Sequence, residues 1–159
     1  MKITSKLIAV YQLASAAALA LVFWSLDDPA SQIAYVLLVA VNLLAGIGLW
    51  RDLRWAHVLS LANIAAQIPA INSSYFTYWY IGIGDIYPFV IIDDPNYKFL
   101  IGPTLQVIPG YFSILLGGAV QGVQIYVGLI ATAFTVFIVR GLRKRQQLRS
   151  VQQLAEHFD

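Results

Sequence analysis

All but one of the basic residues in this chain flank long apolar runs. Lys2 and Lys6 precede the run 7–26. Arg51 and Arg54 separate 33–50 from 55–71. Arg140, Arg143, Lys144, Arg145 and Arg149 follow 122–139. Each run approaches the ~20 residues that a helix needs to cross a hydrocarbon core. If successive runs cross in alternate directions, every basic cluster falls on one side, as the positive-inside rule requires. The other side carries Asp27, Asp28, Asp85, Asp93 and Asp94, with Lys98 as its single base. Trp24, Trp50 and Trp55 fall at run ends, where an amphipathic indole prefers to sit. Arg51, Arg54, Arg140, Arg143, Lys144 and Arg145 therefore read as topology signals and lipid-headgroup contacts.

Composition agrees. Of the 159 residues 59% are hydrophobic and 11% charged, whereas soluble domains carry about 25% charged residues. The chain has no cysteine, which excludes disulfides, thiolate metal sites and thiol-redox chemistry. The basic pI of 8.9 reflects the membrane-flanking clusters, and no nucleic-acid partner is expected. The lysines before the first run, and the small residues of "ASAAALA", raise the possibility of a signal peptide. The run continues through Val22, Phe23 and Trp24, past the usual apolar core of about 7–15 residues, so it is expected to stay as a span.

Between the third and fourth runs, residues 72–121 are apolar but unlike a helix. Tyr, Phe, Thr, Trp, Ile and Val dominate, and they favour strands. Gly82, Gly84, Asp85, Pro88, Pro103, Pro109 and Gly110 interrupt them, and turn signals such as "DDPN" recur. Short strands are expected near 75–83, 86–92, 97–101, 104–108 and 111–116. A six-span chain and a re-entrant loop are the alternatives. The expected fold is an integral membrane, mainly α protein: a four-transmembrane-helix bundle (spans 7–26, 33–50, 55–71 and 122–139) with a β-rich extracytoplasmic insertion between helices 3 and 4. Residues 142–159 form a cytoplasmic tail in which Leu148, Val151, Leu154 and Phe158 recur at amphipathic helical spacing.

Two sets of residues attract a functional reading. In the insertion both strand faces are apolar or aromatic, so one of them needs a second layer, a partner or lipid. Tyr75, Tyr78, Trp79, Tyr80, Tyr87 and Phe89 are the expected contacts. In the third run Ser60, Asn63 and Gln67 share one helical stripe with Ala56. Asn42 lies in the second run, and His57 is slightly off the stripe. Gln12, Ser15, Thr132 and Thr135 are further polar positions. Interhelical hydrogen bonds of about 0.6 kcal/mol each explain such residues; a polar pathway is the alternative, though no charged residue lies mid-run. Ala14, Ala16, Ala18 and Ala20, and Gly118 with Gly122, offer close helix contacts.

The insertion has no Cys or His and a single base, and no phosphate-binding loop is present. Neither catalysis, nor a cofactor, nor a metal is expected. The expected function is a non-enzymatic small multi-pass membrane protein whose β-rich outer part makes protein–protein, self-association or lipid contacts. The partners are the lipid bilayer and a second copy or another membrane protein. The alternative is a small oligomeric transporter or channel subunit using Asn42, His57, Ser60, Asn63 and Gln67. The expected location is a bacterial inner membrane with both termini cytoplasmic.

Overall fold

The computed structural model describes residues 2–93, 98–106, 110–116 and 122–155. Helices α1 (Lys2–Phe23) and α2 (Pro29–Trp50) have 22 residues each, about 33 Å of rise. They pack along each other as a hairpin. Asp28 closes the turn: its carboxylate accepts from the Ser31 amide at 2.7 Å, and Pro29 follows at the first helical position. Pro costs nothing there, because that amide has no helical partner. The Ser31 amide holds the Asp28 carboxyl below its ordinary value. Ile3–Phe23 and Pro29–Trp50 are long and apolar enough to cross a membrane, by length and composition. Much of their surface is aliphatic and exposed, Leu7, Leu21, Ile33, Leu37 and Leu44 among it.

The third and fourth runs depart from expectation. Helix α3 (Arg54–Ala65) has 12 residues, about 18 Å. Pro69 has no amide to donate and biases Ile68 towards extended backbone. The chain therefore leaves the helix and enters strand β1 (Pro69–Ser73). The run 122–139 opens as strand β6 (Val123–Val127). Val-Gln-Ile-Tyr-Val alternates with period two and is rich in β-branched residues, the signature of a half-buried strand. Gly128 breaks it, and α4 (Leu129–Ala155) begins. The expected four-transmembrane-helix bundle is therefore not the fold. Among the described residues two helices, not four, have the length and apolarity of a span. The remainder is a six-stranded antiparallel sheet carried between two helices. Helix α4 also runs unbroken through 141–142, where a separate tail was expected.

Strands β2 (Phe76–Ile81), β3 (Asp85–Asp93), β4 (Lys98–Gln106) and β5 (Tyr111–Leu116) complete the sheet. Its order is β4-β3-β6-β1-β2-β5. The strands expected at 97–101 and 104–108 are one strand, β4, which runs through Pro103. Pro103 is tolerated because β4 is an edge, and it faces Pro88 in register. Pro88 lies just beyond the Phe89–Ile92 segment of β3 that pairs with β6. The turn expected at "DDPN", the Gly118 contact, Pro109 and Phe158 lie outside the described residues, as do the side chains of Leu148, Val151 and Leu154.

The sheet is rolled. Trp79 on β2 and Tyr87 on β3 have ring centroids 6.3 Å apart, although β1 and β6 lie between them. Three strand spacings in a flat sheet would separate their backbones by about 14 Å. Register explains the inner face. Phe89, Tyr126, Ala70 and Trp79 form one row across β3, β6, β1 and β2. Ala70 is small and buried, which lets Trp79 and Tyr126 meet over it at 4.8 Å. Further along, Thr77 Oγ1 donates to Asn72 Oδ1 at 2.9 Å, and the Tyr126 hydroxyl donates to Gln124 Oε1 at 3.0 Å. The outer face carries Val90, Ile101, Ile125, Ile71, Tyr78 and Ile114, which are aligned partners across the strands. Its β2–β5 side packs on the helices, where Tyr80 joins Leu19 and Tyr35 in a buried cluster flanked by Tyr78 and Phe112. A second cluster, Ile8, Leu49, Ala56, Ile64, Ala131 and Ile138, runs between the helices from the start of α4 towards their other end.

Candidate functional site

Three features of the structure place side chains with functional potential: a buried polar network, a buried carboxylate, and an aliphatic sheet face.

The network joins three helices to the sheet. Gln12 Nε2 donates to Ser60 Oγ at 3.1 Å. Asn63 Nδ2 donates to Gln12 Oε1 at 2.6 Å and to Asn42 Oδ1 at 2.9 Å. Asn42 Nδ2 donates to the Tyr80 hydroxyl at 2.8 Å, and that hydroxyl donates to Asn63 Oδ1 at 2.8 Å. Asn42, Asn63 and Tyr80 thus close a ring in which each group both gives and accepts. Such a network fixes register, and in a low-dielectric interior its cost when broken is high. Of the polar residues singled out in the sequence, Gln12, Asn42, Ser60 and Asn63 share this network. Gln67 is buried beside it and accepts from the Tyr11 hydroxyl at 2.9 Å. His57 lies at the other end of α3, with Nδ1 3.0 Å from the Leu53 carbonyl oxygen.

Close approach of the sheet to the helices depends on glycine. A Cβ on Gly82 would collide with Ser15 Oγ, and one on Gly110 would lie 2.6 Å from the Leu19 backbone nitrogen. Gly110 also has φ +58, a left-handed conformation that costs other residues about 1–2 kcal/mol. Its amide donates to the Gly82 carbonyl at 2.8 Å.

Asp85 was legible in the sequence only as an outer turn charge. It is 2% exposed. One oxygen accepts from the amides of Ile86 and Ile130 at 2.7 Å, the other from Ala131 at 3.1 Å. A carboxylate at the start of β3 therefore caps α4, where free amides and the helix dipole favour a negative charge. Gly128 makes room, since a Cβ there would lie 2.5 Å from Asp85 Oδ2. This role left no local sequence signal, because the partner amides lie 45 and 46 positions away.

The expected contact aromatics do not share one surface. Tyr75 is 84% exposed at the β1–β2 turn. Tyr80 and Tyr87 are fully buried. Tyr78 donates to the Ala66 carbonyl at 2.6 Å. Trp79 and Phe89 pack on Tyr126 inside the roll. Among the described side chains, the large apolar ones open on the β4–β3–β6 part of the outer face are aliphatic: Ile86 and Ile92 on β3, Ile101 and Leu105 on β4, Val123, Ile125 and Val127 on β6. The alternation in β6 was the signal for this surface. The basic set lies at the far end of the molecule: Arg51, Arg54, Arg140, Arg143 and Lys144 are exposed there, and Lys6 sits over the Trp50 ring at 5.2 Å. The side chain of Arg145 is outside the described residues. Among the described residues no group of three or more His, Cys, Asp or Glu is placed to hold a metal ion.

Compared with known proteins, the chain matches no family model, no curated protein and no solved structure.

Proposed function

We propose that the chain is a non-enzymatic membrane protein, held by the α1–α2 hairpin, whose sheet enters the outer leaflet and lays its β4–β3–β6 face against lipid acyl chains. The basic helix ends are cytoplasmic in this reading.

The observation that carries it is the chemistry of the exposed face. Ile86, Ile92, Ile101, Leu105, Val123, Ile125 and Val127 are all exposed and all aliphatic. A protein interface concentrates Tyr, Trp and Arg at its centre. Here Tyr87, Phe89 and Tyr126 of β3 and β6 lie on the inner face instead, so acyl chains fit the face better than a protein partner does. Depth supports the same reading. The strand ends at Gly82 and Gly110 meet α1 at Ser15 and Leu19, and from Ser15 to Phe23 the helix rises only about 12 Å. If α1 spans, the sheet starts near mid-bilayer. Backbone groups between its strands are paired in ladders, and the outward edges of β4 and β5 are the ones that need a partner other than a strand.

Spin labels test this in liposomes, on Ile101→Cys and Ile125→Cys with Tyr75→Cys as the exposed control. Labels at 101 and 125 should collide with oxygen more than with a water-soluble nickel chelate, and the label at 75 should do the reverse. Nickel access at 101 and 125 would put the face in water and sink the proposal. Low access to both reagents would mean a protein covers it, and lipid would be the wrong occupant.

A further inference from the structure

At the opposite end of the helices from the sheet is a pocket of about 260 Å³. All four helices line it. Thr4 and Ser5 come from α1, Leu49 from α2, His57 from α3, and Arg140 and Lys144 from one side of α4. We infer that this pocket binds the headgroup of an anionic phospholipid that pairs a phosphate with a hydroxyl, of the glycerol phosphate kind.

The lining chemistry selects that ligand. Arg140 and Lys144 are four residues apart, so they project from the same side of α4. Both are exposed at the pocket mouth. No carboxylate lines the pocket among the described residues. A guanidinium fork and an ammonium side by side suit a phosphate, and the Thr4 hydroxyl can donate to it as well. The floor is different. His57 is 4% exposed, and its Nε2 has no hydrogen-bond partner. The nearest acid is Asp52, whose carboxylate oxygen is 3.7 Å from it. The Leu53 carbonyl can only accept, so Nδ1 carries the proton that meets it. When the ring carries only that proton, Nε2 is a buried acceptor at the pocket floor. A headgroup hydroxyl satisfies it, whereas a bare phosphate oxygen does not. Phe137, half exposed, forms part of the wall, and it offers an apolar surface to the chain that a lipid headgroup must carry and a free phosphate lacks.

The inference rests on the membrane reading of α1 and α2. Its test uses the purified full chain in a neutral detergent. The thermal midpoint is measured with added phosphatidylglycerol, phosphatidylmethanol, phosphatidylcholine or inorganic phosphate. Phosphatidylglycerol should raise the midpoint by several degrees, phosphatidylmethanol by less, and phosphatidylcholine and phosphate hardly at all. Arg140→Gln with Lys144→Gln should abolish the phosphatidylglycerol shift, while Arg143→Gln, outside the pocket, should keep it. Equal shifts from phosphatidylglycerol and phosphatidylmethanol would overturn the role of His57. A full shift from inorganic phosphate would overturn the assignment to lipid. Loss of the shift in Arg143→Gln as well would overturn the pocket in favour of diffuse charge. If these fail while labels at 101 and 125 remain oxygen-accessible, the pocket alone is wrong; nickel access at those labels would remove the membrane reading beneath it.

Discussion

Helices α1 and α2 run 22 residues each without interruption, whereas α3 stops after 12 and hands the chain to a sheet. The hairpin is built mainly on Leu and Ala and the sheet on Ile and Tyr, and the two halves also differ in how backbone polar groups are satisfied. In the hairpin the interior amides are paired within their own helices, and the turn is closed by side-chain bonds from Ser25, Gln32 and the exposed cap at Asp28. In the second half the backbone leaves the helix halfway. Its polar groups are then satisfied between strands, and the transition points need dedicated partners: Asp85 for the start of α4, Gly82 and Gly110 where strand ends abut α1, and Tyr80 where the sheet meets Asn42 and Asn63. A chain that abandons a helix within an apolar region must supply such partners one by one.

That contrast predicts where the molecule is fragile. The largest effect should come from Asp85→Ala, which leaves three amides without their acceptor, two of them at the buried start of α4. Unfolding in denaturant should lose about 3 kcal/mol. Asp85→Asn, which keeps one acceptor oxygen, should recover part of this. A loss below about 1 kcal/mol would mean the carboxylate is not the cap.

Gly110→Ala should follow, at about 2 kcal/mol, from a left-handed backbone and a contact with the Leu19 nitrogen. Gly102→Ala is the internal control. It has no positive φ, and its added Cβ would meet only the tip of the Phe89 ring at 3.1 Å, so its cost should be clearly smaller.

Tyr80→Phe should cost about 1 kcal/mol, since it removes one donor and one acceptor from the Asn42–Asn63 ring without opening a cavity. The loss should largely disappear when Asn63→Leu is already present, because the two side chains share the same bonds. Additive losses would show that the ring does not act as a unit.

The smallest effect belongs to the hairpin. Asp28→Ala should slightly lower the thermal midpoint near neutral pH. The Ser31 amide depresses the folded-state value of the Asp28 carboxyl, so the contribution of the cap is complete above the ordinary value of 3.8 and is lost as pH falls below it. The midpoints of the wild type and Asp28→Ala should therefore converge in acid. A difference that persists at low pH would mean the carboxylate charge has no part in the cap.

Much of this was written locally, and the remainder was not. Turn residues such as Gly82-Gly84 and Pro109-Gly110, with β-formers between them, marked β2, β3 and β5. Ser60 and Asn63 marked the inward face of α3, and Gln67, just past its end, is buried beside them. What hid the true fold was the overlap of strand and span signals at β1 and β6. Pro69 and the period-two alternation of Val123 to Val127 both argue for strand, but each sits at the edge of a helix-length apolar run, and mean hydropathy over such a run does not distinguish the two. The aromatics were legible as unusual but not as inward-facing, because a rolled sheet decides which face closes on itself. The Asp85 cap is a long-range contact, invisible to any local pattern.

The sheet begins beside the middle of α1 rather than above its end. The chain has no cysteine of its own, which makes a disulfide test clean. Ser15→Cys with Gly82→Cys, oxidised in native membranes, should cross-link rapidly, since the Ser15 Cβ lies 3.1 Å from where a Cβ at 82 would stand, near the ~3.5–4.5 Å that disulfides span. Ser25→Cys with Gly82→Cys should not cross-link. The opposite result, cross-linking from 25 and none from 15, would lift the sheet above the bilayer and contradict the account.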